Sequence, residues 1–161
     1  MKNKVIILIS FLLLNLPAVL YAGNIDVKQS VWNGHVRYDF TFDGSHATIV
    51  CPDSVISGKP WIWRPAFLGA FPSVDKALLK KGFHVVFYDM THRYGSPQAV
   101  EQGRKFYDYL LSAWHFSPKV TLEGFSRGGY YALNWAIANP DKVACLYLDN
   151  PVCDMFSWPG E

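Results

Sequence analysis

Hydrophobic and polar positions change their period several times along the chain, and each change marks a predicted element. Val36–Phe42 alternates, ends in the turn dipeptide Asp43-Gly44, and is followed by the apolar run Ala47–Cys51, which together predict a β-hairpin. Asp53–Pro60 reads as loop. Trp61–Trp63 is a short apolar strand leading into the loop Arg64–Ala70. Ser73 is placed to cap a helix through Lys81, with Val74, Leu78 and Leu79 on one face and Gly82 as its stop. The continuous apolar run Phe83–Tyr88 predicts a buried strand, and Thr91–Ser96 a loop. From about Pro97 to Trp114, Val100, Phe106, Leu110 and Trp114 recur at helical spacing. Lys119–Leu122 predicts a strand, Arg127–Asn139 a helix stopped by Pro140, and Val143–Leu148 a sixth strand.

Strands alternating with helices predict an α/β fold. Parallel strands need crossover connections, so the expectation is a mostly parallel sheet with helices on both faces and an antiparallel pair at its front. Residues 1–22 stand apart from this pattern. Lys2 and Lys4 precede the apolar run Val5–Leu16, Pro17 breaks it, and Ala22 offers a small residue before Gly23, the layout of a secretory signal. An uncleaved anchor is the competing reading, but Asn15 and Pro17 weaken the run. The expectation is one domain, 23–161, exported to the periplasm or beyond and without stable membrane association after cleavage.

Composition narrows the classes further. With 50% apolar and 17% charged residues the chain is globular rather than disordered. A net charge of +2 without basic runs argues against nucleic acid as partner. Cys51, Cys145 and Cys153 are too few for a disulfide framework; Cys51 and Cys145 lie in apolar stretches, and a Cys145–Cys153 pair stays open. The five histidines never fall at close ligand spacing, so neither metal nor other cofactor is expected.

Gly124-Phe125-Ser126-Arg127-Gly128 is Gly-x-Ser-x-Gly, set between an apolar strand and an amphipathic helix. In that context the pattern makes a sharp turn that lifts a serine hydroxyl at the sheet's carboxyl edge, with glycines two before and two after letting strand and helix approach. Ser126 is therefore the candidate nucleophile. The helix starting at Arg127 aims its positive end at the same place, and the Arg127 backbone amide is the first candidate oxyanion donor. The second donor would come from the loop after Trp63. Pro65 has no N–H, which leaves Ala66 or Phe67.

From Trp32 onward the chain resembles a bacterial family of secreted α/β-hydrolases. The resemblance rests on Gly58-Lys59-Pro60-Trp61-Ile62-Trp63-Arg64, Gly82-Phe83-His84-Val85-Val86, Leu122-Glu123-Gly124-Phe125-Ser126-Arg127-Gly128-Gly129, Asn139-Pro140-Asp141-Lys142-Val143 and Pro151-Val152-Cys153-Asp154. It implies a serine carboxylesterase acting on a small-molecule ester, with carbohydrate-linked esters in view because some members occur beside carbohydrate-degrading proteins. In this fold the catalytic residues follow the order serine, acid, histidine. His35, His46, His84, His92 and His115 all precede Ser126. The expectation is a chain truncated after its sixth strand, with C-terminal strands and the catalytic histidine missing, and inactive in that form.

Four further residues lie in loops at the predicted active edge. Asp154 follows the sixth strand and is a candidate acid, with a loop-capping role beside it. Arg64 is a candidate substrate ligand or a surface ion pair, and Tyr94 and Trp158 are candidate stacking residues for a sugar. Glu123 reads as a structural acceptor. The alternative to an esterase is a pseudoenzyme or binding protein that holds a ligand without turnover.

Overall fold

The computed structural model describes residues 25–154 and 156; the expected signal segment 1–22 and Trp158 lie outside the described residues. Seven strands, β1 (Lys28–Trp32), β2 (His35–Phe42), β3 (Ser45–Val50), β4 (Trp61–Arg64), β5 (His84–Tyr88), β6 (Val120–Phe125) and β7 (Val143–Asp149), form one sheet in the order β1-β2-β3-β5-β4-β6-β7. The pairings β1–β2, β2–β3 and β3–β5 are antiparallel, while β5, β4, β6 and β7 run parallel.

The strand β1 escaped the sequence pattern because four of its five residues face solvent, so no apolar alternation is required of it. Its signal was the dipeptide that follows. Asn33 and Gly34 (φ 50° and 89°) make the same two-residue turn as Asp43 and Gly44 (φ 44° and 77°), with both residues left-handed as a tight hairpin demands.

Three helices cross between the parallel strands: α1 (Ser73–Lys80), α2 (Pro97–Tyr109) and α3 (Arg127–Ala138). The hydroxyl of Ser96 caps α2 by accepting from the Ala99 amide at 3.3 Å. The cap expected of Ser73 is absent; Pro72 takes that position and Ser73 is the first helical residue. Beyond Tyr109 the long predicted helix widens into a π-helical turn, Leu110–Trp114, ended by His115 at φ 55°. This turn carries Trp114 inward against Tyr38 and Phe116, at ring distances of 5.5 and 5.9 Å.

Side chains alternate along each strand, so the sheet has two distinct faces. Trp61, Trp63, Val86, Tyr88, Val120 and Leu122 point towards α2 and α3, where they meet Phe106, Leu110, Tyr131 and Trp135. The two helices approach closely at Gly103, where a Cβ would fall 1.9 Å from the Tyr131 hydroxyl. The opposite face carries Val50, Ile62 and Val85 under Leu79 of α1. Helices thus cover both faces, as expected.

The chain leaves β4 towards β5 on one side and leaves β6 towards β7 on the other. Diverging crossovers open a crevice beyond the carboxyl ends of those two neighbours, where ligands bind in open sheets of this kind. All three cysteines are free, so Cys145 and Cys153 are not bonded to each other. Cys145 is exposed on β7 rather than buried as its apolar neighbours implied.

Candidate active site

Ser126 joins β6 to α3 with φ 52° and ψ −128°, backbone torsions that few residues other than glycine adopt. Such strain persists only where neighbours over-determine it. The Ser126 amide donates to the Asp149 carbonyl at 3.1 Å, and the Ser126 carbonyl accepts from the Gly129 and Val152 amides, each at 2.9 Å. The serine itself is half-buried, so one side of it remains open.

The glycines divide the work differently from the spacing argument. A Cβ on Gly124 would lie 2.6 Å from the Gly129 Cα, so Gly124 and Gly129 form the close strand–helix contact, not Gly124 and Gly128. Gly128 makes room for the loop after β4 instead. A Cβ there would stand 3.0 Å from the Ala66 Cβ and 3.7 Å from the Ala66 nitrogen. That contact brings Ala66 beside the first turn of α3, whose first residue is Arg127. Among the described residues neither the Ala66 nor the Phe67 amide makes a backbone hydrogen bond, which suits either to an incoming oxyanion.

The structure therefore gathers Ser126, Arg127, Ala66 and Phe67. Phe67 is left-handed (φ 58°), its ring lies 5.6 Å from that of Phe125, and the Arg127 guanidinium sits 5.0 Å above it. Phe71 packs on Phe125 as well, at 5.4 Å, and is 72% exposed.

Arg64 corrects the sequence reading. It is neither a substrate ligand nor a surface ion pair, being only 1% exposed. Its Nη1 donates to Asp75 Oδ2, its Nη2 donates to the Ala70 carbonyl at 3.0 Å, and the same Nη2 stands 3.6 Å from Glu123 Oε1. The alternation of β4 and β6 contained this result. Trp61, Trp63 and Leu122 face α2 and α3, so Arg64 and Glu123 must face α1. Asp75 was missed because an acidic residue in a helix's first turn is ordinarily a solvated partner of the helix dipole. It sits four residues before Leu79, on the buried face.

Burial and the neighbouring Asp75 carboxylate push Glu123 up to about 7, and burial raises Asp75 against the opposing pull of Arg64.

The remaining candidates are placed as follows. Asp154 is exposed and accepts from the Phe156 amide at 2.9 Å, the loop-capping geometry set beside its catalytic reading. Tyr94 is half-buried in left-handed backbone (φ 48°), in a loop whose Gly95 abuts Asn134 of α3. His35 pairs with Asp53, His46 lies against Asp39 and Thr48, and His84, lowered to about 4 chiefly by burial, lies tilted against Phe116 at 4.6 Å. His92 is exposed in the loop after β5. A surface cavity of about 600 Å³ opens between Asp43 and the first turns of α2, and none of its lining residues belongs to the Ser126 turn or the loop after β4.

This frame superimposes on solved lipases and esterases. Lipase A of Candida antarctica in its closed state matches with a TM-score of 0.55 and 14% identity over 78% of this chain. A cold-adapted esterase from an Arctic intertidal metagenomic library gives 0.59 and 16% over 78%, and the esterase EstE5, in crystals soaked with p-nitrophenyl butyrate, 0.56 and 21% over 83%. The fold is that of the α/β-hydrolases. No family model and no curated protein matches the sequence. The chain spans 41%, 63% and 47% of the lengths of those three structures, respectively. Ser126 occupies the sharp strand-to-helix turn of this fold, between β6 and α3. Among the described residues no helix is long and apolar enough to cross a membrane.

Proposed function

We propose that this α/β-hydrolase chain carries the nucleophile and oxyanion hole of an exported serine carboxylesterase acting on a small acyl ester, carbohydrate-linked esters included. One observation carries the reading: a non-glycine residue held at φ 52° and ψ −128° by three backbone hydrogen bonds, at the carboxyl end of β6 where the crossovers diverge. Strain of that kind is retained where it aims a reacting group.

In this reading the Ser126 oxygen attacks the ester carbonyl carbon and the carbonyl electron pair moves onto oxygen. The Arg127 amide and the Ala66 or Phe67 amide receive the developing charge. In the fold's scheme a histidine base takes the serine proton and returns it to the departing alcohol, leaving an acyl-serine for water to cleave. The EstE5 soak with p-nitrophenyl butyrate supports a short acyl group. The family resemblance supports a bacterial, secreted protein and a carbohydrate context, and Lys2, Lys4 and the apolar run after them support export.

A fluorophosphonate probe applied to the protein expressed from its own gene tests this. An adduct mapped to Ser126, lost in Ser126→Ala, is the expected result. An adduct on another residue, or hydrolysis of p-nitrophenyl butyrate that survives Ser126→Ala, overturns it.

A further inference from the structure

We propose that Arg64, Asp75 and Glu123 form a buried, proton-sharing clamp that positions the loop Pro65–Ala70 beside Ser126 and releases it when the shared proton is lost. This rests on the esterase reading only for the use of the loop as an oxyanion donor.

The three side chains lie on the α1 face of the sheet, 1%, 0% and 5% exposed respectively, and each comes from a different element. Arg64 ends β4 and begins the loop. Its Nη2 donates to the Ala70 carbonyl, so one side chain ties the loop's far end back to its start. Asp75 brings in α1, and Glu123 immediately precedes Gly124 of the serine turn. Phe67 in this loop and Phe71 just after it both have left-handed backbone (φ 58° and 48°), and among the described residues the loop's backbone hydrogen bonds are Met90 N–H to Pro65 O at 2.9 Å and Ala70 N–H to Phe67 O at 3.0 Å.

Two carboxyls facing one guanidinium leave an excess negative charge in a buried space, an arrangement paid for only by neutralisation or further hydrogen bonds. Asp75 Oδ1 and Glu123 Oε2 are both buried and neither meets an N–H or O–H donor. Both carboxyls converge on the one guanidinium, Asp75 on Nη1 and Glu123 3.6 Å from Nη2. One proton shared by the pair makes the cluster neutral. The groups facing Glu123 are Arg64 from β4, Asp75 from α1 and Asp149 from β7; both carboxylates favour its protonated form and Arg64 opposes it.

The sign follows from linkage. An acid raised from 4.5 to about 7 on folding makes the native state bind more protons than the unfolded chain between those values, so its contribution to stability is full below that window and declines through it as pH rises. His84, neutral and buried at the opposite end of β5, has the reverse slope in an overlapping range, so the absolute pH profile mixes the two. The difference between wild type and a variant separates them.

Glu123→Gln mimics the protonated acid and lets its amide donate to Asp75; Asp75→Asn does the same from the other side. With the full 161-residue chain, the folding constant of wild type relative to Glu123→Gln should fall as pH rises from 5 to 8, by up to about tenfold per pH unit inside the window. Hydrogen exchange at residues 66–71, corrected for intrinsic pH dependence, should rise roughly tenfold in wild type over the same range while exchange in α2 and α3 stays protected. Neither variant should show that local opening. A wild-type-to-variant ratio that does not change with pH, or exchange that rises equally throughout the sheet, overturns the clamp. If neither variant folds, the wild-type exchange decides alone. None of these readouts uses turnover, so a chain that never reacts with a phosphonate still passes or fails them.

Discussion

On the face covered by α2 and α3, Trp61, Trp63, Phe106, Tyr131 and Trp135 pack ring against ring, with Trp63 and Trp135 at 5.1 Å and Tyr88 stacked on Phe106 at 4.1 Å. The face under α1 holds Val50, Ile62, Leu79 and Val85 and, beside them, three charged side chains sealed from water. Both faces belong to the same strands, yet they perform different work. Ring burial is non-directional and tolerates small shifts. Paired charges in a dry space are directional, and a small displacement is costly. The molecule uses the first face for mass and the second to aim the loop beside Ser126.

Four substitutions sharpen that contrast, and urea denaturation measures each. Trp63→Ala, on the ring face, should cost the most, in the upper part of the roughly 3–5 kcal/mol expected for a large buried aromatic, with the same loss at pH 5 and pH 8. Arg64→Met should cost about 3 kcal/mol by stranding two buried carboxyls, and that loss should grow with pH as they ionise. Equal pH behaviour in these two variants would erase the distinction between the faces. Gly124→Ala forces a methyl to 2.6 Å from the Gly129 Cα and should cost about 2 kcal/mol, with phosphonate labelling of Ser126 falling more steeply than stability. Ser126→Gly should do the opposite, adding about 1 kcal/mol of stability by releasing the left-handed strain while removing labelling altogether.

The serine turn and the parallel half of the sheet were legible in the sequence because each has a local signature: a glycine-flanked serine between a strand and a helix, or an unbroken apolar run. β1 was not, since an exposed edge strand needs no apolar period, although Asn33-Gly34 announced its hairpin. The division of labour between Gly128 and Gly129 required knowing that Ala66 approaches from β4, a contact about sixty residues away in sequence. Arg64 was misread for the same kind of reason. Charge on a residue says water unless its partners are known, and Asp75 and Glu123 lie on other elements. Counting odd and even positions along Trp61–Arg64 and Val120–Glu123 would have put both charges under α1. Trp158 and the segment 1–22 lie outside the described residues.

The bond from the Arg64 side chain to the Ala70 carbonyl works as a clasp. The bridge closes the six residues from Pro65 to Ala70 into a ring whose two ends are one side chain apart. A change of side chain at 67 or 68 therefore alters the rim beside Ser126 while the loop's two ends stay tied together.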